Sequence, residues 1–163
     1  MSSSSPTPEK KPVEILFSYA REDEKLRDEL EKGLSVLKRQ NRIICWHDRQ
    51  ISGGNVWEQA ISTHLATADI ILLLVSRAFI ASDYSNRVEV KHALERHEKG
   101  EVRVIPVILR QCDWQDEPFA KLQALPRDAR PVTDWPNLDN ALYDVAKGIK
   151  RVVEELENSQ STK

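Results

Sequence analysis

Ala68-Asp69-Ile70-Ile71-Leu72-Leu73-Leu74-Val75 is the stretch that decides the fold. From Ile70 onward it is apolar with no alternation. A short continuous apolar run fits a β-strand covered on both faces. It is far below the roughly 20 residues that cross a bilayer. Downstream, Asn86 to Lys99 carries Val90, Ala93, Leu94 and His97 on one side, which predicts a helix closed by Gly100 as a C-cap glycine. Val102 to Leu109 reads as the next strand, and Pro106 inside it implies an edge or a bulge.

Upstream the same alternation holds. Val13 to Ser18 is a strand, and Glu22 to Gln40 is a helix with the stripe Leu26, Leu30, Leu34, Leu37 and acids in its first turn. Arg42 to Trp46 is a second strand. His47 to Gly54 is a polar loop, closed by Asn55-Val56-Trp57-Glu58 with the spacing of a capping box. That box opens a helix with Trp57, Ile61 and Leu65 on one face. Past the fourth strand, Pro118 to Leu125 is a short helix and Arg130 to Thr133 a fifth strand. Leu138 to Leu156 is a final helix with Leu142, Val145, Ile149, Val152 and Leu156 as its stripe. Strand–helix alternation with short connections predicts an α/β fold, a doubly wound sheet of about five parallel strands with helices on both faces. Ligands of such sheets sit at the carboxyl ends of the strands. The positions to inspect are Ser18-Tyr19-Ala20-Arg21, His47-Asp48, Ser76-Arg77 and Arg110-Gln111.

The chain has 163 residues, about one domain. Residues 1–12 are rich in Ser, Pro and Lys and read as a disordered tail, 13–157 as the domain, and 158–163 as a disordered end. Lys+Arg is 24 against Asp+Glu 26, a balance that excludes a dedicated nucleic-acid binder. Cys45 and Cys112 make neither a disulfide framework nor a zinc site, and His47, His64 and His92 lack ligand spacing, so no metal is expected. His97 reads as a half-buried, satisfied histidine. No apolar segment marks the first residues as a secretory signal, and a reducing cytoplasm is the expected location.

Familiar nucleotide sites are absent. No G-x-G-x-x-G follows the first strand, and no G-x-x-x-x-G-K-[ST] occurs. A two-component receiver needs acids after strand one and an Asp ending strand three, where Ser18 and Ser76 stand.

The order of motifs resembles the bacterial Toll/interleukin-1 receptor (TIR) domain family. Ile15-Leu16-Phe17-Ser18-Tyr19-Ala20 is similar to the family's first box, and Ile51-Ser52-Gly53-Gly54-Asn55-Val56-Trp57 to the loop after its second strand. Ala68 to Ser76, Phe79 to Tyr84, Glu89 to Leu94 and Val104 to Leu109 continue the likeness, which covers Val13 to Val153. The resemblance implies a flavodoxin-like fold. It also implies an enzyme that splits NAD+ between nicotinamide and ribose, giving ADP-ribose or a cyclic isomer, with NAD+ as substrate and no cofactor. Glu89 matches the family's catalytic glutamate. Ser18, Tyr19, Ala20, Arg21, Asp48, Ser76 and Tyr84 fall where the family contacts the nucleotide. Asp48 to Asn55 resembles its gating loop, which also mediates TIR–TIR contacts. Self-association, other TIR proteins as partners, and a role in prokaryotic immunity or signalling follow from the same likeness.

The residues themselves keep alternatives open. Glu89 lies about a quarter turn from the centre of the Val90/Ala93/Leu94/His97 stripe by the ~100° step, at the rim of the buried face. It reads either as a crevice carboxylate or as a solvated acid beside His92. In well-known NAD-cleaving members an aromatic stands four residues before the glutamate. Ser85 holds that place here and Tyr84 is one earlier, so Tyr84 reads as a stacking ring or as a loop anchor. Arg21 fits a diphosphate or a surface ion pair. Ser76 reads as a turn and cap residue as well as a nucleotide contact. A non-catalytic TIR interaction module and a nucleotide receptor without turnover share this fold.

Overall fold

The computed structural model describes residues 11–47, 66–81 and 84–161, with side chains outside 84–89 and 160–161. The strands are β1 (Val13–Ser18), β2 (Ile43–Trp46), β3 (Ile70–Val75) and β4 (Arg103–Ile108). The helices are α1 (Glu24–Gly33), α2 (Ser35–Arg39), α3 (Arg77–Ala81), α4 (Tyr84–Glu98) and α5 (Leu138–Ser161). The strands form one parallel sheet in the order β2-β1-β3-β4.

Every residue of β3 is buried. Ile70, Leu72 and Leu74 join Ile15 and Phe17 against Leu30, Leu34, Val145 and Ile149, which assigns α1, α2 and α5 to one face. Ile71, Leu73 and Val75 join Leu16 against Phe79, Ala93 and Phe119, which assigns α3 and α4 to the other. Successive strand side chains alternate between these two cores, so both phases must be apolar. That is the physical origin of the unalternating run.

The structure corrects several expectations. Among the described residues the sheet has four strands, and Arg130 to Thr133 is no fifth strand: a 3-10 turn spans Val132–Asp134. Leu125 makes one parallel bridge to Val107. Its N–H donates to Pro106 O and its carbonyl accepts from Ile108, each at 2.8 Å. The ladder stops there because the Arg127 N–H donates to Asp144 at 2.8 Å instead. The helix expected over Glu22 to Gln40 is a 3-10 turn (Arg21–Asp23) followed by α1 and α2, broken at Leu34 with φ −100°. Its stripe of leucines is buried as expected. Pro118 to Leu125 is only a 3-10 turn, Pro118–Lys121. Helix α5 continues to Ser161 rather than ending at Leu156. Arg42 holds this end with a two-pronged pair to Glu157, 3.0 and 2.8 Å long.

Pro106 sits on an edge strand, as its ring requires. The N–H groups of Arg103 and Leu109 point inward to the carbonyls of Asp69 and Val75. Residue 106 is out of phase with them, so its missing donor lies on the outer edge and costs no ladder bond. One step back on that edge, the Val104 N–H donates to His97 Nδ1 at 3.2 Å, which satisfies the half-buried histidine.

Candidate functional site

The sheet order changes direction between β1 and β3, and the crevice outside their carboxyl ends is the site such topology offers. The first turn after β1 builds its floor. Asp23 N–H donates to Ala20 O at 2.9 Å, folding the chain back over the strand end. This buries the Asp23 side chain to 1% exposure. Its carboxylate accepts a hydrogen bond from the Ser76 hydroxyl at the end of β3. It also accepts from Arg110 Nε, just past β4, at 3.1 Å. Ser76 Oγ in turn accepts the Phe79 N–H at 3.1 Å and so caps α3. One carboxylate thus ties the ends of β1, β3 and β4.

Beside it lies a cationic–aromatic stack. The buried Arg27 guanidinium sits 5.5 Å from the ring centres of both Phe17 and Tyr19. The Tyr19 ring meets His47 edge-on at 6.4 Å and 61°. Arg27 pairs with Asp28 and Glu31, and Glu31 also holds Lys38. Burial works against the Arg27 charge, but the Glu31 hydrogen bond and the surrounding negative charge outweigh it and raise its pKa. Burial likewise works against the Glu31 charge, and the hydrogen bonds from Lys38 and Arg27 reverse it, leaving the carboxyl below its usual range.

Of the expected nucleotide contacts, Ser18, Tyr19, Ala20 and Ser76 stand together at the carboxyl ends of β1 and β3 and are all buried. Arg21 is exposed. Asp48 lies outside the described residues, as does the loop and helix expected from His47 to Leu65 beyond His47 itself. Tyr84 and Glu89 are in α4, with side chains outside the described set. The direction of α4 is nevertheless fixed. Arg96 Nη1 donates to Ala68 O at 3.1 Å, just before β3, and His97 Nδ1 accepts from the N–H of Val104, the second residue of β4. The helix therefore runs from the carboxyl end of the sheet to its amino end. Residue 89 is seven positions before Arg96, about 10 Å closer to the crevice end by a ~1.5 Å rise. Among the described residues no group of His, Cys, Asp or Glu is arranged to hold a metal.

Next to the crevice is a cavity of about 670 Å³, lined by Arg77, Cys112, Asp113, Trp114, Asp128 and Asp134 among others.

The family match decides the assignment: the family described as the TIR domain matches residues 15–140. The chain belongs to the TIR-domain family. This TIR domain is 55% identical over 136 residues to the uncharacterized protein y4lF of Sinorhizobium fredii (strain NBRC 101917 / NGR234), covering 83% of this chain and 42% of that one. The chain thus spans less than half of that relative's length. No helix among the described residues of the TIR domain is long and apolar enough to cross a membrane.

Sequence reasoning gave no role to Asp23, Arg27 or Arg110. A signal for the first two was present. Asp23 continues the Leu26, Leu30, Leu34 phase backward by three, and Arg27 is one turn before Glu31 and three before Leu30, so both fall toward the buried side. Arg110 was legible only as a carboxyl-end position.

Proposed function

We propose that this TIR domain is an NAD+ nucleosidase, with Glu89 as the carboxylate at the reacting ribose. The C1′–N bond breaks and nicotinamide leaves with the electron pair as a neutral base, because its ring nitrogen is cationic in NAD+. Little acid assistance is required. The ribose carbon gains oxocarbenium character, which a fixed carboxylate stabilises. Water then adds at that carbon and loses a proton, giving ADP-ribose; an intramolecular nucleophile in place of water gives a cyclic isomer. The observation that supports this reading is the direction of α4, which carries residue 89 toward the crevice end, in a chain of the TIR family. In the same reading the protein acts in the cytoplasm as a self-associating effector of prokaryotic immunity or signalling, with other TIR proteins as partners.

The test is nicotinamide release from NAD+, followed by chromatography at high protein concentration with a crowding agent. Glu89→Ala and Glu89→Gln are expected to lose on the order of 10²-fold or more in rate. Specific activity is expected to climb with protein concentration. Equal release by wild type and variants removes Glu89 from its role.

A second reading, a TIR module that binds other TIR domains without turnover, has its own supporting observation. Ser18, Tyr19, Ala20 and Ser76 are all buried, and among the expected contacts whose side chains are described only Arg21 is exposed. No release by folded wild-type protein at any concentration favours this reading.

A further inference from the structure

The interaction between Asp23 and Arg110 is asymmetric in exposure. The Asp23 side chain is 1% exposed and that of Arg110 is 49% exposed. Both carboxylate oxygens are engaged, one by the Ser76 hydroxyl and the other by Arg110 Nε. The guanidinium is committed only through Nε. Among the described residues, neither Nη1 nor Nη2 of Arg110 has a hydrogen-bond partner. A guanidinium has five donors in a rigid planar fork. Anchoring it by Nε against a buried carboxylate fixes the plane and removes much of the rotamer freedom a binding event otherwise has to freeze. What remains is a pair of parallel N–H donors facing solvent, a geometry that matches two oxygens of one phosphate.

The location narrows the ligand. Arg110 follows β4 yet reaches across the end of β3 to the turn after β1, because its partner Asp23 belongs to that turn. It therefore lies over the point where the sheet order changes direction. Arg21 and Arg77 stand at the ends of β1 and β3, both exposed, so three strand ends each bring a guanidinium to this edge. We infer that Arg110, held in place by Asp23 and Ser76, is the residue that grips the diphosphate of a dinucleotide at this crevice. The inference deepens the nucleosidase reading and rests on it for the dinucleotide, while the oxyanion grip itself needs no turnover.

The cavity beside the crevice suits that division of labour. Its lining includes Asp113, Asp128 and Asp134 against Arg77, an excess of carboxylates that repels an anion. A diphosphate is thereby kept on the Arg110 side.

Binding is measured by calorimetric titration of the full chain with inorganic pyrophosphate, ADP-ribose and adenosine. Wild type is expected to bind both phosphorylated probes, and ADP-ribose more tightly than adenosine. Arg110→Gln is expected to weaken pyrophosphate and ADP-ribose by about tenfold or more, the scale of a lost charge-assisted bond, and to collapse the ADP-ribose to adenosine ratio. Arg110→Lys keeps the charge without the fork and falls between. Asp23→Asn weakens the anchor and lowers pyrophosphate affinity with Arg110 intact. Failure of wild type to bind pyrophosphate and ADP-ribose overturns the inference. So does an Arg110→Gln variant that binds both as wild type does, or one whose affinities for ADP-ribose and adenosine fall together. Oxyanion binding through Arg110 without nicotinamide release leaves the grip standing and removes the nucleosidase. Nicotinamide release with pyrophosphate binding indifferent to Arg110 does the reverse.

Discussion

The guanidinium of Arg27 lies against the ring of Tyr19, 5.5 Å from its carbon to the ring centre. Tyr19 is the first residue after β1, so a buried cation lies against an aromatic at the crevice. Arg27→Met keeps the stem and removes the charge. It leaves Glu31 with Lys38 alone and takes away the stack on Phe17 and Tyr19. A loss of about 3 kcal/mol is expected, the range for breaking a buried pair on one side. Urea denaturation measures it, and Arg27→Met combined with Glu31→Gln is expected to recover part of the loss.

Glu31 gives the domain an acid limit. Its folded carboxyl lies below its unfolded value, because the bonds from Lys38 and Arg27 outweigh burial. The stability it contributes is therefore present above the unfolded value of about 4.3 and is lost as pH falls through the lower, folded one. Urea midpoints are expected to drop steeply below about pH 4.3. In Glu31→Gln the drop is shallower and the protein is less stable at neutral pH. An unchanged pH profile in the variant rules out Glu31 as the group responsible.

Two glycines carry opposite expectations. A Cβ on Gly33 meets Ala146 Cβ at 3.5 Å, an ordinary contact between α1 and α5. Gly33→Ala is expected to stabilise by about 0.5–1 kcal/mol through the unfolded chain. A Cβ on Gly148 meets the Leu125 methyls at 2.6 and 2.8 Å. Leu125 is pinned by its backbone to β4, so its side chain has to turn. Overpacking of roughly 1–3 kcal/mol exceeds the helix gain of about 1, and Gly148→Ala is expected to melt lower. A Gly148→Ala melt at or above wild type would show that Leu125 turns freely.

The two thiols separate by burial. Burial pushes the Cys45 thiol up to about 12. Cys112 is also raised, by burial first and then by Asp113, Asp23 and Glu117, but it is only half-buried. Ellman's reagent at about pH 8 is expected to titrate Cys112 slowly in native protein and Cys45 only after unfolding. Prompt reaction of Cys45 in the native state contradicts this ordering.

The strands were legible because their signal is local. Val13–Ser18 follows the apolar pattern to the residue, and β3 announces itself by having no polar phase. The fifth strand was misread because a chain segment pairs only if its donors are left for the sheet. Within Arg130–Thr133 the Arg130 N–H closes a turn on Arg127 O at 3.2 Å and Pro131 has no N–H, so the segment turns, with the Thr133 N–H meeting Leu109 O just past β4 at 3.0 Å. The break at Leu34 was hidden because its leucine stripe keeps the same face buried across the break.

The sequence by itself determined the layering and the end of the sheet at which a site must lie. Both follow from which residues avoid water and from the hand of the crossovers, and these are properties of short segments. Tertiary structure alone decided the content of that end. Ser76 and Arg110 lie 53 and 87 positions from Asp23, and no local pattern links the three. An acid in a first helical turn ordinarily faces water and the helix dipole. Here three strand ends converge and exclude solvent, so the acid needs donors, and one of those donors is left with a free fork at the crevice.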